Sequence, residues 1–282
     1  MTEALALAPV KAGRETAEFR LEANDFERIR SLIYQRAGIS LHAGKQAMVY
    51  SRLSRRLRET RHATFAEYLQ DLEKSSNDNE WQEFVNCLTT NLTSFFREDH
   101  HFQILADELK QRGSTPARIW CNAASTGEEP YSLAMTVIEA QGAQTQSRLL
   151  CTDIDTRVLA TAKRGMYDAE SRGLSTERLR RHFLRGTGAN SGSIRVKPEL
   201  ARMIDFQPLN LMSPSWDTGA AFDIVFCRNV MIYFDAQTQM RLMQRMHGTM
   251  NPGGLLFVGH SEHFSDTRGL FRLRGKTVYE RL

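Results

Sequence analysis

Residues 121–132, CNAASTGEEPYS, run from small residues through one glycine to two glutamates and a proline. This predicts a loop that opens a helix and lets a ligand approach the backbone. Ala123, Ala124, Ser125 and Gly127 are small, and Pro130 suits a first helical turn. With a single glycine there is no G-x-G-x-x-G dinucleotide pattern. A helix N-terminus carries about half a positive charge and attracts anions. Here Glu128 and Glu129 already occupy that end, so a diphosphate is disfavoured and a cationic ligand favoured. The simpler alternative is that both glutamates only offset the helix dipole.

Other polar residues sit at the ends of apolar runs. LLCTDID ends in Asp153 and Asp155. An acidic side chain about 20 residues past such a loop accepts hydrogen bonds from ribose hydroxyls, and Asp153 fits this. Asp155 fits an N-cap for the following helix. S-adenosylmethionine has a sulfonium, an ammonium and no phosphate, and so matches this charge pattern. FCRNVMIYF presents Arg228 and Asn229, with Tyr233 one turn later; the alternative is a strand-end cap and a core tyrosine. Asn210, in PLNL, is placed to give backbone contacts to an adenine. NLTSFFRED sets Asn91, Thr93 and Arg97 around Phe95 and Phe96, as a linker with two aromatic anchors or as a lid. His260 and His263 in GHSEH have metal-like spacing but no partners, so they are read as surface or capping residues, with no metal site.

The elements that must position these residues differ between two parts of the chain. Up to about residue 90 the pattern is helical. Phe26, Ile29 and Ile33 recur at helical spacing before Gly38. Val49, Leu53 and Leu57 form a second stripe. Thr64 and Glu67 form a capping box, and Trp81, Phe84, Val85 and Leu88 mark a fourth helix. Beyond residue 90, ARIWCNAAS, SRLLCTDID, FDIVFCRN and GGLLFVGHSE read as buried strands, and GKTVYERL as a last one. Helices at 130–140, 156–164 and 235–250 separate them, which predicts a parallel sheet covered on both faces. Residues 166–208 break the alternation, and their SIRVK and MIDFQ runs predict a small β-rich insert. The reading is a tail over 1–19, a helical domain over 20–88, and an α/β domain over 89–282 with a linker at 89–99.

Composition narrows the class. Of 282 residues, 41% are hydrophobic and 25% charged, an ordinary globular balance with a net charge of +4. Cys87, Cys121, Cys151 and Cys227 form no Cys-x-x-Cys pair, which fits a reducing cytoplasm without disulfides or zinc. No apolar run reaches the roughly 18–20 residues of a membrane span, and the first residues lack signal-peptide character.

Taken in order, NLTSFFRE, AASTGEEPYS, TDID, RGTG and FCRNVMIYF resemble the chemoreceptor glutamate O-methyltransferases of the CheR type. The resemblance runs from about Phe26 to the C-terminus. It implies an α/β, Rossmann-like S-adenosylmethionine-dependent methyltransferase domain with a small β-subdomain insert, preceded by an all-α domain. Cofactor contacts carry over to Asn91, Thr93, Arg97, Glu128, Asp153, Asn210, Leu211, Asn229 and Val230, and Arg97 and Tyr233 fall near the transferred methyl. Two departures are Ser94, where alanine is common, and Cys121–Asn122 before the loop. The implied reaction moves a methyl from sulfonium to a receptor glutamate, leaving S-adenosylhomocysteine. The implied protein is a cytoplasmic monomer recruited to membrane receptor arrays, without membrane insertion.

A docking surface is also legible. Lys45, Arg52, Arg55, Arg56, Arg58 and Arg61 face a single acid, Glu59, and Arg52, Arg55 and Arg56 share one helical face. This is a solvated charge run or a dock for an acidic partner, such as the helical cytoplasmic region of a receptor. The insert is also basic, and in the family it can take a receptor C-terminal peptide as an added strand. Nucleic acid would fit the charge equally well. However, a nucleic-acid methyltransferase would want an Asn/Asp-Pro-Pro-Tyr-like tip, and RNVMIY has no proline. A cofactor-binding adaptor without turnover is the remaining rival.

Overall fold

The computed structural model describes residues 18–264 and 269–282. The expected tail falls outside the described residues up to residue 17. Four helices follow: α1 (Ala23–Ala37), α2 (Gln46–Thr60), α3 (Phe65–Lys74) and α4 (Asp78–Leu88). Their apolar stripes meet in one core that includes Ile29, Ile33, Val49, Leu53, Leu57, Phe84 and Leu88. The capping box forms at α3, where Thr64 Oγ1 accepts from the Glu67 N–H at 3.1 Å. The Glu67 carboxylate accepts from the Ala63 N–H at 2.9 Å. α1 stops at Gly38, whose φ of 71° is left-handed. A Cβ there would lie 2.6 Å from Met212 Sδ, so this glycine also lets the helical unit close onto the rest of the chain.

The remainder alternates strand and helix: α5 (His100–Gln111), β1 (Arg118–Cys121), α6 (Glu128–Gln141), β2 (Arg148–Asp153) and α7 (Thr156–Arg164). Then come β3 (Met166–Asp168), α8 (Thr176–His182), β4 (Phe183–Arg185), β5 (Ser193–Val196), α9 (Pro198–Ala201) and β6 (Ile204–Pro208). The chain ends with β7 (Phe222–Cys227), α10 (Ala236–Thr249), β8 (Met250–Val258), β9 (Phe271–Gly275) and β10 (Val278–Arg281). One sheet has seven strands in the order β6-β2-β1-β7-β8-β10-β9. Its pairings are parallel from β6 to β8, and β10 is antiparallel to both β8 and β9. From β1 the chain builds outward through β2 to β6, then returns to β7 on the other side of β1. The switch point therefore lies between β1 and β7, where open α/β sheets bind ligands.

β3, β5 and β4 form the separate small antiparallel sheet expected of the insert. The MIDFQ run does not belong to it. As β6 it pairs with β2 at the edge of the main sheet, from Leu149–Ile204 to Asp153–Pro208. Half-exposed alternation looks the same at a large sheet's edge as in a small sheet, and the pairing partner lies far off in sequence. α5 and β9 were not anticipated.

Phe95 and Phe96 prove to be anchors on two different elements. The Phe95 ring packs edge-on to Tyr167 of β3 at 4.9 Å and to Phe183 of β4 at 5.8 Å. Phe96 meets Phe102 of α5 at 5.0 Å, with the Arg178 guanidinium 3.6 Å over its ring. The Phe95→Ala variant removes a ring that is 2% exposed, and a loss of ~3–5 kcal/mol is expected. Urea unfolding of the two proteins compares directly with that figure.

Candidate functional site

A cavity of about 460 Å³ opens at the switch point, between the helical unit and the carboxyl ends of β1, β2 and β7. The helical unit is fastened along its rim. Gln82 Nε2 donates to the Ile154 carbonyl at 2.8 Å, and the Tyr34 hydroxyl to Asp235 at 2.6 Å. The Ser40 N–H donates to the Tyr233 carbonyl at 2.8 Å. Asn91, Thr93, Arg97, Asp153, Asn210, Leu211, Asn229, Val230 and Tyr233 all line the cavity.

Glu128 is the exception among the residues expected at the cofactor. Its carboxylate accepts from the Thr126 hydroxyl at 2.6 Å and is not part of the wall. Glu129 is the glutamate that lines the cavity, but it is not a free negative charge. Arg228 Nη1 donates to it at 2.5 Å. Successive helix residues point about 100° apart, and only Glu129 points towards the tip of β7. The charge argument from two free carboxylates therefore does not hold for this loop.

Arg228 itself was expected only as a strand-end residue. Its side chain is fully buried, and it forks between Glu129 and Glu98, the latter at 3.1 Å. Nη2 also donates to the Arg97 carbonyl at 2.6 Å. Phe96 and Glu98, either side of Arg97, have φ of 50° and 57°. Such left-handed non-glycine residues persist only where surroundings hold them, and Arg228 grips this turn at two points. Arg97 is thus fixed at the wall, with Nη1 donating to the Leu92 carbonyl at 2.9 Å.

Small residues shape the loop. Gly127 has φ of 101°, and a Cβ there would lie 2.5 Å from the Tyr167 hydroxyl and 2.9 Å from Ala162 Cβ. The Tyr167 hydroxyl donates to the Thr126 carbonyl at 2.8 Å, so the small sheet braces the loop. The Ser125 N–H donates to Asp153 at 2.8 Å, and its hydroxyl to the Asn91 carbonyl at 2.9 Å. Asp153 also accepts from the Asp155 N–H at 2.9 Å. Burial pushes the Asp153 carboxyl up to about 6, against the pull of those two N–H groups. Asp155 caps α7 through the Arg157 N–H at 2.9 Å, as expected, and holds the Asn91 amide at 2.8 Å.

Residues 91–280 match the CheR methyltransferase, SAM binding domain, and residues 24–89 match the CheR methyltransferase, all-alpha domain. The chain belongs to the CheR methyltransferase family. A chemotaxis protein methyltransferase of Escherichia coli (strain K12) is 50% identical over 266 residues, covering 94% of this chain and 93% of that one. One from Klebsiella aerogenes is 49% identical over 285 residues, 99% and 98% of the two chains. Chemotaxis protein methyltransferase 2 of Pseudomonas aeruginosa is 47% identical over 266 residues, 93% and 94%. Among solved structures, PKMT2 from Rickettsia typhi in complex with AdoHcy superposes with a TM-score of 0.33 at 13% identity, over 53% of this chain and 24% of that one.

As a CheR methyltransferase the chain is S-adenosylmethionine-dependent, and the wall suits that ligand. Asn122 is 3% exposed and lines the cavity, and its side-chain oxygen has no hydrogen-bond partner among the described residues. It is an acceptor available to a ligand N–H or O–H. Ile154, Leu209, Leu211 and Val230 supply apolar wall. The sequence marked Arg228 only as a strand-end residue and Asn122 only as a departure before the loop, and it gave Glu98 no role.

The basic face of α2 is not one free stripe. Arg56 forks onto Glu80 and also pairs with Glu59 at 3.0 Å, with its side chain 17% exposed. Arg52 donates to the Thr89 carbonyl at 2.5 Å and to the Thr90 hydroxyl at 3.3 Å, and so ties α2 to the start of the linker. Arg55 points outward, 78% exposed, with Glu59 at 3.0 Å. α4 packs against α2 and supplies the acid that sequence spacing could not reveal. At the cavity, the Arg228→Met variant strands two carboxylates that are only 15% and 12% exposed. It is expected to lose ~3–5 kcal/mol of stability, a drop that thermal and urea unfolding measure.

Proposed function

We propose that the chain transfers the methyl group of S-adenosylmethionine to glutamate side chains of chemotaxis receptors, giving glutamyl methyl esters that set receptor adaptation. The observation that carries this is Arg97, a guanidinium held by its backbone and by Leu92 at the wall of a cofactor-sized cavity that Tyr233 also lines. The names of the relatives support the chemotaxis setting.

S-adenosylmethionine supplies an electrophilic methyl on a sulfonium. The chain's own residues supply placement. Asp153 accepts from ribose hydroxyls, and Ile154 and Leu211 flank the adenine. Asn210 contributes backbone, since its side-chain amide donates to the Arg36 carbonyl at 2.6 Å and its Oδ1 accepts from the Met212 N–H at 2.8 Å. A glutamate has a reference pKa of about 4.3 and enters already ionised at pH 7, so no general base is needed. Arg97 orients that carboxylate. Glu98 lies 3.9 Å from Arg97 Nε and tempers its charge, which keeps the incoming oxygen nucleophilic. Tyr233 orients the carboxylate or the methyl, and alignment of the reacting atoms lowers the barrier.

The acidic helical region of a receptor docks over outward Arg55 and exposed Lys45, the latter at the cavity. β3 and β4 are the outer strands of the small sheet and offer an edge to which a receptor C-terminal peptide adds as a strand. The chain acts as a monomer from the cytoplasm at membrane receptor arrays.

With labelled cofactor and receptor-containing membranes, alkali should release the label as methanol. Alkali-stable label would point to N- or C-methylation, and no label to an adaptor. Arg97→Ala should lose turnover at saturating cofactor; full retention would remove it from catalysis. The pH dependence follows from Asp153. Only its ionised form accepts two hydroxyl donors, so cofactor affinity should fall roughly tenfold per unit below about pH 6. Without ligand the sign reverses. The raised carboxyl stabilises the fold below about pH 4, and that contribution is lost as pH rises through 6. Calorimetric titrations from pH 5 to 8 should show the affinity trend, and Asp153→Asn should flatten it.

A further inference from the structure

Glu262, in the GHSEH segment after β8, is 4% exposed. Among the described residues, its carboxylate accepts only from backbone N–H groups. Oε2 takes those of Asn229 at 2.9 Å and Gly259 at 2.5 Å, and Oε1 takes that of Ile232 at 3.3 Å. Burial pushes this carboxyl up, and the N–H groups of Gly259, Asn229, Ile232 and Met231 oppose that. Asn229 adopts a left-handed φ of 56°. Met231–Tyr233 form a single 3-10 turn, whose leading N–H groups have no partner within the turn. An anion at that end satisfies them and complements their partial positive charge. Gly259 leaves room for it: a Cβ there would lie 2.5 Å from the Asn229 amide nitrogen and 2.8 Å from Glu262 Oε2.

We propose that Glu262 is a positioning residue for methyl transfer, holding Asn229 and Tyr233 at the cavity through the backbone of the 229–233 turn. The assignment rests on the reading above, in which Asn229 contacts the cofactor and Tyr233 the reacting groups. Glu262 reaches neither through their side chains. Its two oxygens bind the turn at two points, Asn229 and Ile232. The same carboxylate ties that turn to Gly259, at the end of β8. A glutamine cannot replace it, because its amide group would direct N–H donors at backbone N–H donors on one of the two sides.

The test is a double-mutant cycle read by S-adenosylhomocysteine calorimetry and receptor methylation, with near-ultraviolet dichroism to establish folding. Glu262→Gln should weaken S-adenosylhomocysteine binding by roughly tenfold and lower kcat as well. Combined with Asn229→Ala, it should weaken binding no further than the worse single variant, because both remove the same placement. If Glu262→Gln fails to fold, Glu262→Asp, which keeps the charge on a shorter arm, enters the same cycle. A folded Glu262 variant with affinity within about twofold of the parent, or penalties that add, overturns the assignment. Asn229→Ala that binds normally sinks the site reading together with this assignment. Asn229→Ala that weakens binding while the Glu262 variant does not sinks this assignment alone.

Discussion

A single buried cation organises the site. Arg228 has no exposed side-chain surface, and its guanidinium joins Glu98 of the linker to Glu129 of α6. Two carboxylates and one guanidinium in a low-dielectric interior are costly unless each lone pair and proton is matched. Here the fork also takes the Arg97 carbonyl, while Arg228 Nε is buried without a partner among the described residues. Because Arg228 follows directly on β7, the switch point, the loop helix and the linker are fixed relative to one another by one residue. Arg97 inherits its position from that contact, as its left-handed neighbours would not hold that turn unaided.

The linker is the second consequence. It passes between the two units and is pinned along its length. Arg52 of α2 holds Thr89 and Thr90, Asp155 holds Asn91, Phe95 enters the small sheet, and Phe96 rests on α5. The small sheet thus has a structural duty apart from any partner. Tyr167 packs on Phe95, and its hydroxyl bonds the Thr126 carbonyl beside Gly127. A segment that looks in sequence like a free lid is instead a wall shared by every neighbouring element. That suits the proposed methyl transfer, which depends on alignment rather than on proton transfer.

The cavity exists only because the helical unit docks where it does. Residues from α1, the α1–α2 connection, the linker and three strand tips line it together. Gly38 allows that approach, and the Asn210 amide spends its hydrogen bonds on Arg36 and Met212 to maintain it. The Asn210 side chain thus helps to close the site.

Much of this was legible from the chain alone. Periodicity marked three helices of the first unit, because an apolar stripe at 3.6-residue spacing rarely arises outside an amphipathic helix, and a capping box marked the other. Continuous apolar runs marked the parallel strands, and polar residues at or after their ends, Asp153, Asn229 and Tyr233, line the cavity. What the sequence could not determine were choices between neighbours and choices of distant partner. Ile204–Pro208 joined the main sheet, Arg56 turned to Glu80, and Glu129 rather than Glu128 met the cavity. Each depends on which element lies opposite once the chain has folded. Local spacing sets the direction a side chain takes from its own helix or strand, and only tertiary packing sets what it finds there.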